Sequence, residues 1–172
     1  MKKVLGVCMG LSLVWALPAQ AEPANLLGVF GNWTAYSSGS GSSLTCFALS
    51  KPRASRPATA KRAAVYLMVS DWPSRKVKSE AQIVYGYQAS EKGAAALGVG
   101  GDKFTFFIRN NGKEGSAWLH QLGENEKLIS AMQDGVSAVA SGVSSKGTKT
   151  IDTYSLSGFK DALEKIHATC QM

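Results

Sequence analysis

The sequence predicts a mainly β protein, an antiparallel β-sandwich with a short C-terminal helix. About eight short segments are rich in β-branched and aromatic residues, and turn residues such as Gly, Asn and Asp separate most of them. Apolar residues make up 45% of the 172 residues, which is enough to form the core of one domain. The last predicted element differs, because its apolar residues recur with the period of a helix.

The chain begins with a segment that is typical of a secretory signal peptide, residues 1–21. Two lysines give it a positive start, the apolar run 4–17 follows, and Ala19-Gln20-Ala21 provides a small-residue cleavage site. The apolar run is shorter than the roughly 20 residues that a bilayer-spanning helix needs. We therefore expect an exported, soluble mature chain, residues 22–172, that forms a single domain without a transmembrane segment.

Two of the three cysteines remain in the mature chain, because Cys8 lies in the predicted signal peptide. Cys46 and Cys170 are expected to form one disulfide, since an exported protein folds in an oxidising compartment. Zinc binding is the alternative, but two cysteines and two histidines without close pairing lack the spacing of a zinc site. We predict no metal site and no cofactor.

Most of the predicted strands lie in the first two thirds of the chain. The first, 31–36, runs into a serine- and glycine-rich segment, 37–43, whose composition is that of a flexible loop. Strand 63–70 carries apolar residues on both faces, which indicates a central, covered strand. Gly101-Asp102 is expected to form a turn between two of the later strands. The other strands are predicted at 44–49, 81–87, 95–100, 104–109, 136–143 and 150–156.

A hairpin and a short helix are predicted after these strands. Asn111-Gly112 lies between two β-prone segments, and both residues tolerate the positive φ of a tight hairpin turn. Leu128, Ile129 and Met132 share one face of a short helix that is expected to end at Gly135.

The last predicted helix begins after Ser157, a candidate N-cap residue. Phe159, Leu163 and Ile166 follow at positions i, i+4 and i+7, so they line one face that can pack against the sheet. His167 lies near the C-terminal end, where the helix dipole favours a cationic imidazole.

Several landmarks of the chain resemble the invasion-associated locus B family of exported Gram-negative proteins. The resemblance rests on Gly31-Asn32-Trp33-Thr34, Cys46, Lys61-Arg62, Ala64-Val65-Tyr66-Leu67, Gly86-Tyr87, Ala117-Trp118, Ala131-Met132, the closing segment 147–163 and Cys170. It implies an immunoglobulin-like β-sandwich and an envelope or secreted location. It also implies a link to host-cell invasion, and it brings no catalytic residues.

The sequence offers little that is typical of an active site. His120 and His167 are the two histidines, and neither is part of a recognisable catalytic motif. Ser157-Gly158-Phe159-Lys160 matches Ser-x-x-Lys, but its partner motifs are absent and a helix cap explains the serine. We therefore predict a non-enzymatic protein without catalytic residues. A small periplasmic enzyme or enzyme inhibitor is the alternative, which an apolar cleft holding His120 beside an acid would favour.

The charge of the chain is concentrated in one segment, 51–78, which holds eight basic residues against Asp71 alone. The segment forms two basic loops, 51–62 and 71–79, at opposite ends of strand 63–70 and thus roughly 25 Å apart at about 3.3 Å per residue. The candidate binding residues are Lys51, Arg53, Arg56, Lys61, Arg62, Trp72, Arg75, Lys76 and Lys78.

These loops predict a protein that acts by binding. The signal peptide and the family resemblance imply that it acts at the periplasm or the outer surface of a Gram-negative cell. The expected partner is a protein or an anionic envelope or host-cell surface, such as acidic lipids or sulfated glycans. Nucleic acid is not an expected partner of an exported protein. The alternative interpretation is a solvated loop region that only keeps the protein soluble.

Overall fold

The computed structural model describes residues 23–120 and 122–172, so the predicted signal peptide, residues 1–21, lies outside the described residues. Eleven strands are hydrogen-bonded into one sheet, and each paired neighbour runs antiparallel. The structure confirms a mainly β, antiparallel fold with a short C-terminal helix.

Nine of the eleven strands precede the first helix, and the second helix follows the last strand. The strands are β1 (Asn25–Phe30), β2 (Trp33–Ser38), β3 (Thr45–Ser50), β4 (Ala54–Arg56), β5 (Tyr66–Trp72), β6 (Val77–Val84), β7 (Ala95–Val99), β8 (Asp102–Asn111), β9 (Glu114–Leu119), β10 (Ser137–Val143) and β11 (Lys149–Ser155). The helices are α1 (Asn125–Asp134) and α2 (Phe159–Cys170). The sequence did not predict β1 and β4, which are the two edge strands.

The sheet curls back on itself. Its order is β1-β2-β3-β5-β6-β9-β8-β7-β10-β11-β4, so β2 and β11 would lie about 38 Å apart in a flat sheet at about 4.8 Å per strand. Instead, the indole Nε1 of Trp33 in β2 donates a hydrogen bond of 3.0 Å to the carbonyl of Ser155 in β11. All eleven strands belong to one sheet, whereas a sandwich divides its strands between two.

Helix α2 closes the core against β1, β2, β3 and β5. Its predicted apolar face is confirmed, since Phe159, Leu163 and Ile166 are all buried, and the Phe159 ring lies 4.7 Å from that of Trp33. The predicted disulfide is also confirmed: Cys170, at the end of α2, is bonded to Cys46 in β3. The C-terminal end of α2 is thus joined covalently to β3.

Two glycines allow the chain to cross itself beside this helix. The N-cap of α2 is Gly158, with φ +87°, so the expected cap at Ser157 is wrong. A Cβ on Gly158 would overlap the carbonyl of Phe30, and one on Gly31, with φ +53°, would lie 2.6 Å from the carbonyl oxygen of Ser157. Because only glycine fits both the backbone and the space, the β1–β2 turn can rest directly on the β11–α2 connection.

The local turn signals are confirmed with small shifts in position. The hairpin at Asn111-Gly112 joins β8 to β9, and Gly112 takes the positive φ, +62°. Between β7 and β8 the loop is Gly100-Gly101, one residue earlier than predicted, because Val99 pairs with Asp102. The serine-rich segment holds a short 3-10 turn, Gly41–Ser43, instead of a wholly irregular loop.

A buried ion pair ties the segment between β4 and β5 to the centre of β11. The guanidinium of Arg62 donates two hydrogen bonds, of 2.6 and 2.8 Å, to the carboxylate of Asp152. Ser55 donates a third, of 2.6 Å, to the same carboxylate. The side chains of Arg62 and Asp152 are 7% and 0% exposed, and the bonds to Asp152 raise the pKa of Arg62. Arg62 therefore stays charged and bonded to Asp152 inside the protein.

We expect Gly158→Ala to lower the free energy of unfolding by about 2 to 4 kcal/mol, because the left-handed backbone and the contact with Phe30 both become strained. Gly147→Ala is the matched control, since Gly147 has a similar φ of +85° but open space around it. The control should lose about 1 kcal/mol. Urea unfolding monitored by circular dichroism measures both losses, and equal losses would contradict the crossing contact.

We expect Arg62→Ala to destabilise the fold by about 3 to 5 kcal/mol, because it leaves the charge of Asp152 buried and unpaired. Lys61→Ala removes a neighbouring cation that is exposed, and should change stability by no more than about 0.5 kcal/mol. Adding Asp152→Asn to Arg62→Ala should recover part of the loss. Thermal unfolding of the three variants checks this, and similar midpoints for the Arg62 and Lys61 variants would refute it.

Candidate functional site

The structure places the two predicted basic loops at opposite ends of β5. Leu67, near the start of β5, pairs with Ser50, from which the loop 51–62 departs. Asp71, near the end of β5, pairs with Cys46, and the turn 71–79 begins there. The seven residues of β5 span about 23 Å at about 3.3 Å per residue. The basic residues therefore form two surfaces, which we call the β4 loop (51–62) and the β5–β6 turn (71–79).

The β4 loop runs along β11, with which β4 pairs. Lys51, Arg53, Arg56 and Lys61 are exposed on it, whereas Arg62 is held in the ion pair described above. Lys61 lines a depression of about 300 Å³ together with Lys146 and several hydroxyl groups. The structure thus adds Lys146, which the sequence did not indicate, to this basic surface.

The β5–β6 turn is a compact structure built around Trp72. The indole Nε1 of Trp72 donates a hydrogen bond of 3.1 Å to Glu80, and the guanidinium of Arg75 lies 4.2 Å from the Trp72 ring centroid. Arg75 also approaches the Glu80 carboxylate at 4.0 Å. Lys76 ends the turn with a left-handed backbone, φ +54°. These contacts fix the turn, and Lys76 and Lys78 extend from it into solvent.

A groove of about 750 Å³ lies beside this turn, on the face of the sheet that is turned away from the core. Strand register builds its floor: Met68 pairs with Gln82, Gln82 with Trp118, and Trp118 with Phe107. Their neighbours along the strands, such as Leu67 and Ile83, are buried in the core. Alternation along each strand therefore gives one row to the core and the next to this surface, which we call the outer groove.

The rim of the outer groove is mainly basic. Arg75 and Lys78 of the β5–β6 turn lie on one side, and Arg109 of β8 lies on the other, with its guanidinium 5.6 Å from the Phe107 ring centroid. Glu80 is the acid among the lining residues, and it is engaged by Trp72. The groove therefore combines a floor that is apolar apart from Gln82 with an excess of positive charge at its edges.

Sequence reasoning missed the floor of this groove. Phe107, Arg109 and Trp118 lie in predicted strand segments, but nothing local shows which strands become neighbours. Met68 lies in strand 63–70, and the sequence predicts that both faces of this strand are covered. Period-two alternation identifies each residue as outward-facing, whereas their assembly into a groove depends on the pairing of four strands.

A polar cluster lies beneath the β5–β6 turn, where α2 meets the sheet. The hydroxyl of Ser79 lies 2.8 Å from Nε2 of His167, and the backbone N–H of Ser79 donates a hydrogen bond of 2.8 Å to Oδ1 of Asp71. The same Oδ1 lies 3.7 Å from Nε2 of His167. In a hydrolase triad the acid and the nucleophile bond to different ring nitrogens, whereas here both approach Nε2. The cluster therefore lacks the geometry of a triad.

Burial controls the charges of this cluster. Removal from water raises the pKa of Asp71, although the N–H of Ser79 and the imidazole of His167 oppose that shift. Burial likewise lowers the pKa of His167, with Asp71 opposing. The lowered pKa of His167 disfavours the cationic imidazole that the helix dipole leads us to expect.

The other predicted histidine lies on the surface. His120 is exposed, and its ring contacts that of Phe107 edge-on, with centroids 6.4 Å apart. Within residues 23–120 and 122–172, no three His, Cys, Asp or Glu side chains are grouped so that they could hold a metal ion. In the same part of the chain, neither helix is long and apolar enough to cross a bilayer.

Comparisons with known proteins assign the chain to a family. The family described as "Invasion associated locus B (IalB) protein" matches residues 33–167. A search of curated proteins finds no match. The fold is similar to the crystal structure of invasion associated protein B from Bartonella henselae, with a TM-score of 0.59 and 13% identity over 84% of this chain and 98% of that chain. Because the family match covers most of the sequence, the chain belongs to the invasion-associated locus B family.

Proposed function

We propose that the protein is an exported, non-enzymatic protein of the cell envelope that acts by binding an anionic partner. The observation that carries this proposal is the set of exposed cations that form no ion pair within 4.0 Å of a described acid. They include six of the predicted binding residues, namely Lys51, Arg53, Arg56, Lys61, Lys76 and Lys78. Because unpaired surface cations add nothing to fold stability, their concentration in two loops favours a role in binding.

The proposed location rests on two features of the chain. Residues 1–21 have the pattern of a secretory signal peptide, and the Cys46–Cys170 disulfide is of the kind that persists in oxidising compartments. We infer that the mature chain acts in the periplasm or at the outer surface of a Gram-negative cell.

The proposed mechanism is presentation of loops by a rigid scaffold. The curled sheet brings its two halves face to face, and we propose that it serves as an immunoglobulin-like sandwich does, with loops carrying the binding residues. Trp72, Arg75 and Glu80 fix the β5–β6 turn, so its cations are positioned before the partner arrives. A preorganised surface loses less conformational entropy on binding.

The class of partner follows from charge and from the relatives. An anionic envelope or host-cell surface complements the basic loops. The Bartonella protein of similar fold is named for an association with invasion, which supports a host-cell role as one form of this binding.

The test is binding of the mature chain, residues 22–172, to vesicles that contain phosphatidylglycerol. We expect Lys76→Gln with Lys78→Gln to weaken binding about 30-fold, because each cation near an anionic surface contributes about 1 kcal/mol. Lys160→Gln with Lys165→Gln removes equal charge from the exposed face of α2, and should weaken binding no more than about two-fold. Raising salt should weaken binding of the wild type, since exposed charges are screened over about 8 Å at physiological ionic strength. Salt-independent binding, or equal losses in both double variants, would refute the proposal.

A further inference from the structure

Among the described residues, the helices reach the outer groove only at Asn125, the first residue of α1. The buried residues of α1 and α2 belong to the core on the opposite face of the sheet. Phe107 on the groove floor remains 36% exposed, and its ring stacks on that of Trp118 with centroids 6.0 Å apart. Exposed apolar patches rimmed by polar residues commonly mark binding sites.

Extending the binding role proposed above, on which this inference rests, we propose that the outer groove binds the acyl chain of an anionic envelope lipid, with its headgroup on the basic rim. A volume of about 750 Å³ lies in the range of small-molecule sites, which is about 300 to 1,000 Å³. Met68 supplies a flexible thioether, and Trp118 and Phe107 supply flat rings, so the floor can adapt to a chain without polar groups.

The floor is better suited to an acyl chain than to a peptide. Strands β6 and β9 are interior strands, and where Gln82–Val84 pair with Ser116–Trp118 the backbone groups are used in the ladder. A peptide on this face would therefore bring backbone N–H and C=O groups that find few partners, which is costly when they are buried. Peptides usually add to a sheet edge instead, where backbone hydrogen bonds are available. An acyl chain has no such groups to satisfy.

The rim selects for negative charge at one end of the ligand. Arg75, Lys78 and Arg109 line the groove against one acid, Glu80, whose carboxylate is engaged by Trp72 and Arg75. Arginine and lysine side chains bind phosphate well, and arginine can do so with two parallel hydrogen bonds. An acidic phospholipid complements both parts of the site, whereas inorganic phosphate complements only the rim.

The first test uses the wild-type mature chain and needs no variant. Lysophosphatidylglycerol with a brominated acyl chain, below its critical micelle concentration, should quench the fluorescence of Trp118 and Trp72 on direct contact, while Trp33 in the core keeps its emission. Calorimetry with unbrominated chains should show affinity rising about two- to four-fold for each added methylene until the groove is filled. Inorganic phosphate should bind at least 100-fold more weakly, and zwitterionic lysophosphatidylcholine about 10-fold more weakly.

The second test compares two variants of similar exposure. Phe107→Ser changes the groove floor, and should lower the affinity for lysophosphatidylglycerol at least 10-fold. Val139→Ser changes a side chain of 39% exposure on β10, outside the groove lining, and should leave the affinity unchanged. Thermal unfolding of both variants shows whether they remain folded. If one of them is unfolded, the quenching test on the wild-type chain still decides the question.

The outcomes separate this inference from the proposed function. Salt-dependent vesicle binding without quenching, without chain-length dependence and with no effect of Phe107→Ser would overturn the acyl site and leave the proposed function standing. Tight binding of an acidic, aromatic-containing peptide that Phe107→Ser abolishes, without any binding of lysophosphatidylglycerol, would also overturn it. Quenching together with chain-length dependence supports it.

Discussion

The fold depends on one contact, where the β1–β2 turn rests on the connection between β11 and α2. Asn32 donates a backbone hydrogen bond of 3.0 Å to Ser157, and the indole of Trp33 donates one to Ser155 beside it. Gly31 and Gly158 make the approach possible because neither carries a Cβ. With these bonds in place, the eleven-stranded sheet curls around one core, and the Cys46–Cys170 disulfide holds α2 against it.

Because of this curl, one face of the sheet forms the core and the other face is exposed. The inner rows of β5, β6, β8 and β9 fill the core, so the outer rows of the same strands are held in fixed positions. The floor of the outer groove is therefore formed by strands and not by a loop. The cations differ in the same way. Arg62 forms a buried ion pair with Asp152, whereas Lys76 and Lys78 remain exposed beside the groove.

Local patterns predicted the features that depend on local chemistry. The disulfide, the hairpin at Asn111-Gly112 and the apolar face of α2 all follow from residue type and spacing, and the structure confirms them. The ion pair between Arg62 and Asp152 was not predictable, since the two residues are 90 positions apart and meet only through the curl. The outer groove was missed for the same reason, because it requires the register of four strands. The prediction of an N-cap at Ser157 was wrong, because the contact between the β1–β2 turn and the β11–α2 connection requires glycine at position 158, and Gly158 is the N-cap.

We propose that the outer face of the sheet, and not the core, contacts an anionic lipid. The most direct measurement is an NMR titration of residues 22–172 with lysophosphatidylglycerol. It follows the indole N–H resonances of the three tryptophans, Trp33, Trp72 and Trp118. Trp33 is fully buried and bonded to Ser155, whereas Trp72 and Trp118 line the groove. If the lipid binds in the outer groove, the resonances of Trp72 and Trp118 shift in a saturable way and that of Trp33 is unchanged. Unshifted groove tryptophans, or equal shifts for all three, would contradict it.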